Sequence, residues 1–117
     1  MSTQDFDDEA RLRRHRQFVL ELEHEIRQVN RRIIHERISS LTREDCLSLE
    51  TQVARARARY LDLALQIAHA DQEARPDEST LDALRSARLH FEELRDAFLA
   101  LERAIECGYL DITLPNS

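Results

Sequence analysis

Residues 46–70, CLSLETQVARARARYLDLALQIAHA, decide the fold. Apolar or small side chains recur through this stretch at alternating steps of three and four residues. A period near 3.5 residues places them on one side of an α-helix and favours coiled-coil-like packing against a neighbour. The recurring positions are Cys46, Leu49, Val53, Ala56, Tyr60, Leu63, Ile67 and Ala70. The stretch therefore predicts a long amphipathic helix.

The same rhythm appears before and after this stretch. The earlier set comprises Leu12, Val19, Leu22, Ile26, Val29 and Ile33. The later set comprises Leu84, Ala87, Phe91, Leu94, Phe98, Leu101 and Ile105. We call each such row of apolar residues a seam. Three seams predict three helices, over about 7–38, 43–72 and 80–107.

Local residues indicate where these helices begin and end. Thr42 can cap the second helix, with Asp45 at the capping-box position three residues later. Pro76 disfavours a helical residue before it and so ends the helical pattern before the third helix. Ser79 or Thr80 can cap that third helix. Gly108 follows the third helix, where a residue in the left-handed conformation is expected.

Short connections between long helices require antiparallel neighbours. We therefore expect one domain over residues 1–117, an all-α, antiparallel up-down-up three-helix bundle with coiled-coil-like packing. Residues 108–117 alternate apolar and polar side chains, which predicts a short extended C-terminal tail. The single glycine and two prolines exclude turn-rich sandwiches and barrels, and also glycine-rich phosphate loops.

The charge and hydropathy patterns narrow the protein class further. The formal net charge is −6, which argues against general nucleic-acid binding. No apolar run approaches the roughly 18 residues of a membrane span, and the acidic N-terminus is unlike a secretory signal. We expect a cytoplasmic protein with no membrane contact.

Few residue patterns suggest chemistry. Glu21 and His24 have the spacing of a di-iron ligand pair, but the seam places both on the outer side of the first helix. His15 falls on the seam itself, where a structural histidine is the simpler interpretation. We therefore expect no catalytic residue, no metal ligand, no cofactor and no enzymatic activity.

Two alternatives to a simple bundle remain open. One is a metal- or redox-responsive bundle, since His15 could serve as a ligand and Cys46 and Cys107 would meet at one end of an up-down-up bundle as a redox pair. The first helix is rich in arginine between Arg11 and Arg37, which suggests a nucleic-acid-binding regulator. Acid-before-base pairs four residues apart and the lack of interleaved aromatics favour a solvated face instead.

The second helix carries more apolar surface than one seam requires. Its second stripe recurs every seven residues, at Leu47, Ala54, Leu61 and Ala68. The tail adds a second apolar row, at Leu110, Ile112 and Leu114, which can pack across the end of its own bundle, the more ordinary arrangement, or on a partner. We expect these residues to bind another protein or a second copy of the chain, since closed dimers are the commonest assembly. The leading hypothesis is a non-enzymatic interaction module that self-associates.

Overall fold

The computed structural model describes residues 3–70 and 73–114. It contains three α-helices, α1 (Thr3–His35), α2 (Arg43–His69) and α3 (Glu78–Glu106), and no strand in the described ranges. The predicted all-α class with three helices is confirmed. Most observed helix ends lie within about four residues of the predicted ones. The predicted end of the second helix at position 72, and the last three tail residues, fall outside the described ranges.

Side-chain caps set the first turns of α2 and α3. Thr42 Oγ1 accepts a hydrogen bond from the Asp45 N–H at 3.1 Å, and the Asp45 carboxylate accepts one from the Thr42 N–H at 3.0 Å. This confirms the predicted capping box. The cap of α3 is Asp77, which accepts from the Thr80 N–H at 2.8 Å, in place of the expected Ser79 or Thr80. A carboxylate also interacts favourably with the positive end of the helix dipole.

Gly108 ends α3 in the left-handed conformation, with φ +75°. The Gly108 N–H donates to the Ile105 carbonyl at 3.0 Å, and the Tyr109 N–H donates to the Ala104 carbonyl at 2.9 Å. These two bonds form the Schellman motif and satisfy carbonyls that the helix end would otherwise leave unpaired. The expected helix terminator is confirmed.

The helices α2 and α3 pack against each other and form the core of the bundle. Val53, Ala56 and Ala87 are buried along this contact, and Val53 is only 1% exposed. The rings of Tyr60 and Phe91, each near the middle of its helix, stack with centroids 6.1 Å apart. Since mid-helix meets mid-helix across a short connection, the pair runs antiparallel.

The tail packs on the segment that joins α1 to α2. The Leu41 N–H donates to the Asp111 carbonyl and the Thr113 N–H donates to the Leu41 carbonyl, both at 2.8 Å. These bonds form an isolated parallel bridge between Leu41 and Ile112. Leu41, in the bridge, and Leu110, two residues before Ile112, are both buried. The tail is therefore extended, as expected, and covers one end of the bundle.

The first helix extends away from this core as an arm. In the described ranges, no α1 Cα lies within 8 Å of an α2 or α3 Cα, and α1 has no buried residue. The radius of gyration is 24.0 Å, well above the roughly 13 Å of a compact domain of about 100 residues. Bundle packing is thus concentrated in α2 and α3, and α1 joins them through its C-terminal end and the tail.

Candidate interaction surface

An exposed apolar row runs along α1, and we call it the α1 stripe. Its side chains expose between 41% and 55% of their surface. The members are Leu12, Val19, Leu22, Ile26, Val29 and Ile33. Sequence reasoning assigned them to the bundle core because their spacing is that of a buried seam. Among the described residues, however, no helix packs along this seam.

A second exposed row lies on α2, on the side turned away from the α3 contact, and we call it the outer α2 stripe. The sequence identified four of its members, and the structure exposes all four. Ala58 and Leu65 continue the same steps of three and four residues and are also exposed. The complete stripe is Leu47, Ala54, Ala58, Leu61, Leu65 and Ala68. Completing the heptad pattern would have found the two missed residues.

The tail residues named as a candidate surface divide into two groups. Leu110 is 7% exposed and packs inside the chain, so it offers no surface to a partner in this structure. Ile112 and Leu114 are 46% and 61% exposed. The tail therefore buries part of its apolar row within its own chain and exposes the rest.

Basic side chains of α1 bind the end of α3 and the tail. Arg27 Nε donates to the Cys107 carbonyl at 3.3 Å, and Arg31 Nη1 donates to the Gly108 carbonyl at 3.1 Å. His35 Nδ1 lies 3.8 Å from an Asp111 carboxylate oxygen. These α1 residues are spaced four apart, so they share one face of the helix, well away from the α1 stripe. Two arginines of the predicted nucleic-acid surface therefore make contacts within the chain.

The cysteines are both free and half-buried. Cys107 forms the C-cap of α3, and Cys46 lies in the first turn of α2. A disulfide between Cys46 and Cys107 on oxidation stays a prediction. His15, Glu21 and His24 are exposed on α1. Within residues 3–70 and 73–114, no three histidine, cysteine or acidic side chains are grouped to hold a metal ion.

An open cavity of about 540 Å³ lies at the connection between α2 and α3. Leu63, Ile67 and Pro76 line it together with Asp77. Hydrogen bonds from the Thr80 side chain and backbone lower the pKa of Asp77. Because these bonds belong to the helix cap, that carboxylate is held ionised for a structural task.

Two arginines flank an aromatic ring on the α2·α3 surface. The guanidinium carbons of Arg57 and Arg95 lie 5.3 and 5.4 Å from the centroid of the Phe91 ring. Arg95 also donates to Asp96 at 3.2 Å. Contacts at this distance are cation–π interactions with the Phe91 ring.

Searches of protein-family models, curated protein sequences and solved structures found no match to this chain. None of the helices in the described ranges has the length and apolar character needed to span a bilayer.

Proposed function

We propose that this protein is a non-enzymatic helical interaction module that self-associates in the cytoplasm. The observation that carries the proposal is the α1 stripe, six large apolar side chains in one row with about half of each exposed. Monomeric proteins rarely leave a continuous apolar patch of this kind in water.

The free energy available for association depends on the apolar surface area that association buries. Burying the exposed half of a leucine, isoleucine or valine side chain is worth on the order of 1 kcal/mol. Six such side chains, together with those of a partner surface, would outweigh the entropy lost on association only if they are buried along a continuous seam. A helix with a 3.5-residue apolar period supplies that seam.

Light scattering coupled to gel filtration tests the proposal over a wide range of protein concentrations. We expect a mass of about twice 13.7 kDa that falls to the monomer value on dilution. Val19→Glu and Ile26→Glu should each shift this transition to higher concentration, because they bury a charge in the seam. Gln28→Glu, which adds the same charge on another side of α1, is the matched control. A monomer at every concentration would contradict the proposal.

A further inference from the structure

The two unpartnered stripes match each other in antiparallel register. Each step of three or four residues up α1 meets an equal step down α2. In an antiparallel coiled coil, seam residues of one helix face seam residues of the other in this way. The seven facing pairs are Leu12 with Ala68, His15 with Leu65, Val19 with Leu61, Leu22 with Ala58, Ile26 with Ala54, Val29 with Thr51, and Ile33 with Leu47.

The sizes of the facing side chains are complementary. Three large residues of the α1 stripe, Leu12, Leu22 and Ile26, each face an alanine of the outer α2 stripe. Alternating large and small residues across facing positions lets two helices interdigitate without voids. The exposed alanines of α2, which bury little surface by themselves, then have a packing role.

Charges beside the seam are complementary as well. The positions that flank the seam on α1 face those that flank it on α2. In this register, wherever both facing residues are charged and described, their charges are opposite. The pairs are Glu9 with His69, Arg16 with Asp62, Glu23 with Arg55, Glu25 with Arg57, and Arg32 with Glu50. Flanking charges select partner and orientation in coiled coils. The histidine contributes only when it is protonated.

Pairing of α1 with another α1 is less favourable. In a parallel pair, Arg11 would face Arg16, and Arg32 would face Arg37. In the antiparallel pair that places Val19 on Leu22, Arg11 would face Arg32 while Arg16 would face Glu23, so repulsive and attractive pairs offset each other. Like charges at these positions oppose association. The outer α2 stripe is thus the better match for the α1 stripe.

The α2 helix that α1 meets belongs to a second copy of the chain. Within one chain, the bonds from Arg27 and Arg31 to the end of α3 and the tail hold α1 away from its own α2. We propose that α1 of each copy packs antiparallel on the outer α2 stripe of the other, in a two-fold dimer. Such an exchange buries both stripes at once and closes the assembly. The inference rests on the proposed self-association and identifies its surface.

Disulfide trapping tests this arrangement in a chain whose native thiols are replaced, Cys46→Ser with Cys107→Ser. Adding Leu22→Cys and Ala58→Cys to the same chain places two thiols at a facing position. Mild oxidation should give a covalent dimer on a non-reducing gel, while each single-cysteine chain stays monomeric on that gel. Leu22→Cys with Leu47→Cys is the register control, because its thiols would lie about 16 Å apart along the seam.

The other outcomes overturn the proposal. A disulfide within one chain would show that α1 closes on its own α2. A covalent dimer of the chain carrying Leu22→Cys alone would show that α1 pairs with α1. If light scattering finds a dimer but no disulfide forms between these positions, this arrangement is wrong and the self-association stands. If light scattering finds only monomer, the proposed function fails as well.

A charge exchange gives an independent readout. Glu23→Arg should weaken dimerisation by about tenfold, and so should Arg55→Glu, because each puts like charges together at two symmetric sites. The two changes in one chain should restore the wild-type dissociation constant. Glu21→Arg, which makes the same change away from the seam, should leave it within about twofold. No rescue by the double variant would contradict the proposed register.

Discussion

Arg31 Nη2 donates a 2.6 Å hydrogen bond to Asp111 Oδ1, joining α1 to a tail residue 80 positions further along the chain. The same guanidinium donates to the Gly108 carbonyl, just beyond the end of α3. A cation at this place also interacts favourably with the negative end of the α3 helix dipole. This contact therefore ties α1 to the tail and to the end of α3.

Replacing Arg31 should loosen the tail with little loss of global stability. Both partners are about half exposed, so Arg31→Ala should lower the free energy of unfolding by no more than about 1 kcal/mol. Amide exchange at Leu41 and Thr113, the residues of the bridge, should nevertheless become faster. Hydrogen-exchange mass spectrometry measures this, with Arg14→Ala as the control. Unchanged exchange would mean that the bridge alone holds the tail.

The left-handed Gly108 should resist substitution. Gly108→Ala should destabilise the protein by about 1 kcal/mol, because a Cβ raises the energy of a residue at φ +75°. The added Cβ would meet Arg27 Cδ at 3.7 Å, an ordinary contact, so backbone strain accounts for the cost. Gly108→Asn should cost less, since asparagine tolerates this conformation. Urea unfolding of the three proteins checks the order, and equal costs would contradict it.

Acid should destabilise the caps of α2 and α3. Hydrogen bonds from the Thr42 backbone and side chain lower the pKa of Asp45, and those from Thr80 lower the pKa of Asp77. A carboxyl with a lowered folded-state pKa contributes stability that is present above its unfolded value of 3.8. That contribution is lost as the pH falls through the folded-state pKa.

Urea midpoints measured from about pH 5 down to about pH 2 test this loss. The wild-type midpoint should fall over this interval more steeply than that of a chain carrying Asp45→Asn and Asp77→Asn. The same change at the exposed Asp7 is the control. Parallel curves for wild type and the double variant would rule out a role of the caps in acid stability.

The most buried side chain should be the most sensitive to truncation. Val53→Ala removes two methyl groups from the α2·α3 contact and leaves a cavity, which should cost about 2 kcal/mol. Leu99→Ala, at a position 53% exposed on α3, should cost less than about 0.5 kcal/mol. Thermal or urea unfolding at equal protein concentration compares them. Similar losses at both sites would contradict the assignment of the core to Val53.

Local chemistry made several features predictable. The capping box of Thr42 and Asp45, and the terminator Gly108, depend on hydrogen bonds and backbone preferences within a few residues. Where several local residues are capable of the same task, the prediction was less accurate. Asp77, Ser79 and Thr80 can all cap a helix, and the sequence-based choice fell on the wrong residues.

The sequence by itself determined the three helices, the α2·α3 seam and the presence of surplus apolar surface, since residue spacing alone sets which side chains share a helical face. Only the tertiary structure decided that Leu110 is buried and that α1 leaves its stripe uncovered. The reason is that an apolar seam specifies a partner of matching shape without specifying where in space that partner lies. Long-range contacts such as those of Arg31 with the tail, 77 and 80 residues away, make that choice.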